Sequence, residues 1–142
     1  MSPILVDRFP ADRAAEKRAL LAALLGHPAA IAPKYFYDEL GCALYGAICR
    51  LDEYYPTRTE VALFEIHRLE IAEAIGKGRQ FVDLGAGDCC KAKAWLDLLS
   101  PSRYIAVDIA VREIAGALER LAPDFPGLEM IGVATDFSRV LD

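Results

Sequence analysis

The chain has 142 residues, 54% of them hydrophobic and 26% charged, with a formal net charge of −5. That is one domain's worth of sequence with enough apolar content for a core, which excludes a disordered chain. The acidic balance, with no lysine or arginine run, excludes a nucleic-acid footprint, and no apolar run approaches the ~20 residues of a membrane span.

The opening MSPILVDRFPADRAAEKR lacks the positive-then-apolar order of a secretion signal, so a cytoplasmic location is expected. Within residues 11–25, Leu20, Leu21, Leu24 and Leu25 recur at helical spacing opposite charged residues, and Gly26 with Pro28 ends that helix. PKYFYDELG begins as an aromatic-dense loop. From about Glu39, the positions Ala43, Leu44, Ala47, Ile48 and Leu51 predict a second amphipathic helix. In DEYYPTRTE, Pro56 is expected to push Tyr55 out of the helical region, and Thr57 with Glu60 fits a capping box. A third helix is therefore predicted from about Arg58 to Ile75, stopped by Gly76 and Gly78.

Beyond Gly78 the period changes. Phe81, Val82 and Leu84 form a short strand run, Gly85 and Gly87 make a turn, and Lys91 to Leu99 reads as a helix. YIAVDI is a second strand, residues 111–122 carry a helical apolar face, and LEMIGVATDF is a third strand. Strand–helix–strand–helix–strand is one βαβαβ half of a doubly wound sheet, which makes the fold class α/β. The division is a helical region over 1–78, containing the YYPTR elbow, and a half-sheet over 79–142.

Cys42, Cys49, Cys89 and Cys90 show no C-x-x-C spacing and no histidine in register, so they read as reduced thiols and no metal site is expected. His27 and His67 read as surface or helix-face histidines.

The glycine turn carries the chemistry. A dinucleotide fingerprint reads G-x-G-x-x-G, but here Gly85-Ala86-Gly87-Asp88-Cys89 is followed by Cys90, which weakens an oxidoreductase reading. Asp83 and Asp88 would repel a pyrophosphate and welcome a positive centre, such as the sulfonium and ammonium of S-adenosylmethionine (SAM). Asp108 closes the second strand near the offset of a carboxylate that accepts from ribose hydroxyls. Asp136 and Phe137 close the third, where a carboxylate and a ring suit an adenine. All lie at predicted carboxyl ends of strands, where open α/β sheets bind ligands.

PKYFYDELG, LDEYYPTRTE, DLGAGDCCKAK, VDI and PGLEMIGVATDF follow one another in the order and spacing of the histidine-specific, SAM-dependent methyltransferase family, which includes the histidine Nα-methyltransferases of ergothioneine biosynthesis. The chain resembles about the first half of such an enzyme. The resemblance implies a truncated Rossmann-like methyltransferase fold and methyl transfer from SAM to the α-amine of a histidine-like amino acid. It places Tyr37 at the reacting amine as the catalytic residue and Tyr54 in the amino-acid pocket. SAM contacts fall on Gly85, Lys91, Asp108, Asp136 and Phe137. Lys91 also suits the methionyl carboxylate as a cation on a first helical turn. Asp88, Cys89 and Cys90 depart from the small hydroxyl residues common there.

The same resemblance implies that a full sheet flanks the FVDLG strand on both sides. With only two later strands in the sequence, that edge is expected to be open, to favour self-association, and to leave this chain inactive by itself. The alternative is a non-catalytic SAM- or nucleotide-binding module completed by a missing or partner segment.

Overall fold

The computed structural model of the chain describes residues 2–9 and 12–136. The elements are β1 (Ile4–Asp7), α1 (Arg13–Leu24), a 3-10 turn (Pro33–Phe36), α2 (Glu39–Ile48), α3 (Tyr55–Ile75), β2 (Gln80–Leu84), α4 (Cys90–Leu99), β3 (Arg103–Asp108), α5 (Val111–Leu121), a second 3-10 turn (Ala122–Asp124) and β4 (Glu129–Ala134). The helix and strand sequence expected for residues 80–134 forms in the expected order.

The N-terminal helices start where short acidic side chains satisfy free amides. Asp12 accepts from the Ala15 amide at 2.8 Å to open α1, and Asp38 accepts from the Gly41 amide at 2.8 Å to open α2. Gly41 has a further reason to be glycine. A Cβ there would lie 1.7 Å from the Phe36 carbonyl oxygen, so the passage PKYFYDELG closes on itself only with no side chain at its end. Helix α3 departs from the expected start. It begins at Tyr55, with Tyr54 as its non-helical N-cap, no capping side chain and Pro56 in its first turn. First-turn amides have no intrahelical acceptor, so a proline there forfeits nothing, and the capping box is not needed. The Thr57 hydroxyl instead lies 3.5 Å from the Cys49 sulfur.

All four strands are parallel, in the order β1-β4-β3-β2. Strand β1 is an addition that the sequence reading did not contain. Three apolar residues, Ile4 to Val6, pair with Ile131 to Val133. Side chains alternate across a strand, so the register assigns Phe81, Asp83, Tyr104, Ala106, Met130, Gly132 and Leu5 to one face. Helices α4 and α5 cover that face: Ala92 and Leu96 of α4 and Ile114, Ala117, Leu118 and Leu121 of α5 join Tyr104, Ala106 and Met130 in a single buried cluster. Gly132 sits where the packing is tightest, since a Cβ there would lie 2.9 Å from Leu5 Cδ1 and 3.0 Å from Leu118 Cδ1.

The other face is poorly covered. Val82 and Leu84 are each 50% exposed, and Ile105, Ile131 and Val133 are half-buried. Strand β2 forms one edge of the sheet, as expected from the open FVDLG strand. Helices α1, α2 and α3 contain no fully buried residue. The long helix α3 is held to α4 by an edge-to-face contact between Phe64 and Trp95, 5.4 Å between ring centres.

The core therefore lives between one sheet face and two helices. Replacing fully buried Ile114 by alanine is expected to cost about 2–5 kcal/mol. Urea denaturation checks this, and a loss below ~1 kcal/mol would mean that α5 is not part of the stabilising core.

Candidate functional site

The glycine turn is built by strand β3 as much as by its own sequence. Gly85 and Gly87 take φ of 75° and 53°, the left-handed region where a Cβ is disfavoured. The amides of Gly85 and Ala86 both donate to the Val107 carbonyl, at 2.8 and 3.1 Å. Asp108 completes the clasp. It is 8% exposed, and its two oxygens accept separately from the Gly87 amide and the Ala110 amide, each at 2.8 Å. One carboxylate thus joins the turn after β2 to the start of α5. An ionised carboxylate has about four acceptor positions, so two remain for hydroxyl donors.

Asp83 is the penultimate residue of β2, just below that turn. It is half-buried and receives a hydrogen bond of 3.1 Å from the hydroxyl of Tyr104. Burial pushes its carboxyl above the ordinary range; the Tyr104 hydrogen bond and the Lys91 charge oppose the rise, and the charges of Asp108 and Glu60 add to it. Asp83 opens onto a groove of ≈ 280 Å³ between α3 and α4, lined also by Glu60, Phe64, Phe81, Lys91 and Trp95. Lys91 stands on the first turn of α4, as expected, and its ammonium pairs with Glu60 of α3 at 3.3 Å. Asp88 accepts from the Cys90 amide at 3.0 Å, which places a negative charge at the N-terminus of α4.

The remaining expected residues come from the N-terminal region and the end of β4. Tyr37 closes the first 3-10 turn and is 50% exposed. Tyr54 is half-buried and meets Tyr45 edge-to-face at 6.3 Å. What fixes the elbow is Arg58: its guanidinium donates to the carbonyls of Leu51, Asp52 and Tyr54, at 2.8, 2.6 and 3.3 Å. That explains the arginine of YYPTR. Asp136 is half-buried, and the ammonium of Lys34 lies 3.9 Å from it while also pairing with Glu16. Lys34 belongs to the PKYFYDELG passage, so this ion pair joins the passage carrying Tyr37 to the end of β4. Phe137 lies outside the described residues.

Gly85, Lys91, Asp108 and Asp136 thus sit on or beside the carboxyl ends of neighbouring parallel strands. Tyr37 and Tyr54 lie in the N-terminal region, at the end of the first 3-10 turn and just before α3. The sequence reading missed Glu60 as the partner of Lys91, Lys34 as the partner of Asp136, and the support of Asp83 by Tyr104. The signals were present but non-local: contacts across 31, 102 and 21 positions leave no mark in periodicity. Among the described residues no cluster of acids, thiols and histidines could hold a metal ion, and the four cysteines are unpaired.

The residues fit S-adenosylmethionine. The turn has open space where Cβ atoms of Gly85 and Gly87 would stand, Asp108 keeps acceptor capacity, and the groove sets a carboxylate and an ammonium side by side. A zwitterionic amino-acid tail finds an opposite charge for each end there, whereas a pyrophosphate meets Asp83 and Asp88.

Comparisons with known proteins point the same way. The model of the family described as "Histidine-specific methyltransferase, SAM-dependent" matches residues 16–142. The chain is similar to a histidine N-alpha-methyltransferase of Mycolicibacterium smegmatis, 35% identical over 99% of this chain and 46% of the relative. It is also similar to one of Mycobacterium tuberculosis, 31% identical over 92% and 42% respectively, and to N-methyltransferase imqF of Aspergillus flavus, 29% identical over 75% and 30%. The chain spans about half the length of the curated relatives it matches.

The raised carboxyl of Asp83 has a consequence for stability. A carboxyl that binds its proton more tightly when folded contributes stability that is lost as pH rises from its ordinary value through the raised one. Asp83→Asn removes that penalty. Relative to the unmodified chain, the variant should gain stability between pH ~4 and pH 7. Paired urea titrations check this, and a flat difference across the range would contradict the burial of Asp83.

Proposed function

The chain belongs to the histidine-specific, SAM-dependent methyltransferase family, and from that premise we propose that it is the cofactor-binding half of an N-methyltransferase. The acceptor is the α-amine of histidine or a related amino acid, and the donor is S-adenosylmethionine. The observation that carries this reading is Asp108. It is buried, it clasps the glycine turn through two amides, and it retains acceptor positions beside the turn for ribose hydroxyls.

The division of labour follows from chemistry. When bound, the cofactor supplies a methyl group on a sulfonium, displaced in line by an amine lone pair as the carbon–sulfur bond breaks and sulfur keeps the electron pair. The chain's own residues position, desolvate and hold charge. Gly85 lets the backbone approach, Asp83 faces the positive centre, and Lys91 turns from Glu60 to the methionyl carboxylate. Asp136 would accept from the adenine amine, and Phe137, outside the described residues, is the ring proposed for its face. Tyr54 lines the amino-acid pocket. Tyr37 stands at the reacting amine, where a phenol oxygen accepts its hydrogen bond and an aromatic face tolerates the growing ammonium, worth ~0.5–2 kcal/mol. Residues 1–78 then form the acceptor side and residues 79–142 the cofactor side, with β1 crossing into the sheet. No helix among the described residues is long and apolar enough to cross a membrane. With its four thiols unpaired, we place the chain in the reducing cytoplasm.

A second reading is favoured by the exposure of Tyr37: these 142 residues bind the cofactor without completing an acceptor pocket. Turnover by the chain alone is then undetectable while binding persists. The open β2 edge and the exposed Val82 and Leu84 suit a second copy of this chain, and self-association is the partner expected for it.

Two measurements test these proposals. Isothermal titration with S-adenosylhomocysteine should detect binding, and Asp108→Ala should weaken it by ten- to a hundredfold, the worth of a charge-assisted hydrogen bond. Equal binding by a folded Asp108→Ala chain would remove the cofactor role of this residue. Analytical ultracentrifugation should detect a dimer that Val82→Lys disperses, and a monomer with freely exchanging β2 amides would end the association proposal.

A further inference from the structure

Deepening the cofactor reading and resting on it, we propose that Tyr104 is a positioning residue of the site, its buried hydroxyl holding Asp83 in place beneath the glycine turn. Tyr104 is fully buried, at 0% exposure, followed on its strand by Ile105, Ala106 and Val107. A tyrosine there carries a hydroxyl that a phenylalanine would not, and a buried hydroxyl left without a partner costs free energy. It is not left so. Register pairs Tyr104 with Phe81, yet the hydroxyl reaches two residues further along β2 and donates to Asp83 at 3.1 Å. Phe81 packs against the ring at 5.6 Å and sets that direction.

Cys89, 2% exposed, lies in the same buried cluster as Tyr104. Cys89 is the N-cap of α4 and takes a left-handed φ of 58°, where a side chain is disfavoured. Its amide closes the turn by donating to the Ala86 carbonyl at 2.9 Å. Burial pushes the Tyr104 hydroxyl well above its ordinary range, so it stays protonated as the donor to Asp83.

Asp108 clasps the turn from one side, and Tyr104 braces the strand that enters it through Asp83. The brace keeps the Asp83 carboxylate directed into the groove, where the proposed positive centre meets it.

The test compares Tyr104→Phe and Asp83→Asn with the unmodified chain by amide hydrogen exchange and by S-adenosylhomocysteine titration across pH. The phenylalanine keeps the ring and removes the hydroxyl. Amides of Gly85, Gly87 and Cys89 should exchange about tenfold faster in it, while those of the β3–β4 ladder stay unchanged. Affinity should fall about tenfold. Loss of the hydroxyl's donation also raises the Asp83 carboxyl further, so the affinity lost on acidification should begin at higher pH, a dependence that Asp83→Asn abolishes. A uniform rise in exchange would reduce Tyr104 to core packing and overturn the proposal. Binding and turn exchange unchanged by Tyr104→Phe would overturn it too and leave the cofactor reading standing. An unmodified chain that binds no S-adenosylhomocysteine would remove the cofactor reading itself, and the assignment of Tyr104 to that site with it.

Discussion

The two hydrogen bonds of Asp108 are the constraint on which the site depends. A buried carboxylate needs partners for its charge, and the amides at hand belong to the glycine turn and to the residue that caps α5. Satisfying the charge therefore fixes two connections at once. The neighbouring bonds extend the same logic: the turn's first amides end on Val107, and the Thr135 amide ends on the Asp108 carbonyl at 3.0 Å. All of this presumes the parallel register of β2, β3 and β4. A slip of one residue would send Asp108 to the opposite face and leave the turn amides unanswered.

Charge is arranged around this clasp in matched pairs. Asp83 and Asp88 give the turn an acidic floor, and Lys91 with Glu60 and Lys34 with Asp136 bring compensating cations to its rim. The pairs span different elements, so they also dock the N-terminal helices onto the half-sheet. Their cost to a ligand is small because the Lys91–Glu60 pair is half-exposed, and exposed pairs are worth at most ~1 kcal/mol. A bound carboxylate or ammonium exchanges partners there without leaving a charge buried alone.

The packing is one-sided. Both crossover helices lie on the sheet face that carries Tyr104 and Gly132, and the opposite face keeps Val82 and Leu84 half in solvent at the open edge of β2. The site sits above the covered face, where backbone hydrogen bonds and core contacts hold it. Tyr37 closes a 3-10 turn and Tyr54 precedes α3, in a region whose helices have no fully buried residue, and Arg58 holds the elbow of Tyr54 through carbonyls rather than through a core. The half-sheet is the firmer half.

The sequence by itself determined the elements from residue 80 onward, because strands and helices there announce themselves by local period and by glycines at the turns. It also determined the residue types at the strand ends, and the passages around Tyr37 and Tyr54 were specific enough to carry the family. It did not yield β1, whose short apolar run has meaning only beside β4, nor the true start of α3, since a proline in a first turn reads locally as a break. Tertiary structure alone decided which groups answer one another: Asp108 with the Gly87 amide, Tyr104 with Asp83, Lys91 with Glu60, Lys34 with Asp136. The reason is physical. Periodicity records which face of an element is buried, whereas the partner of a polar group is whatever the fold brings into hydrogen-bond or ion-pair reach, and that distance is set by the tertiary fold rather than along the chain.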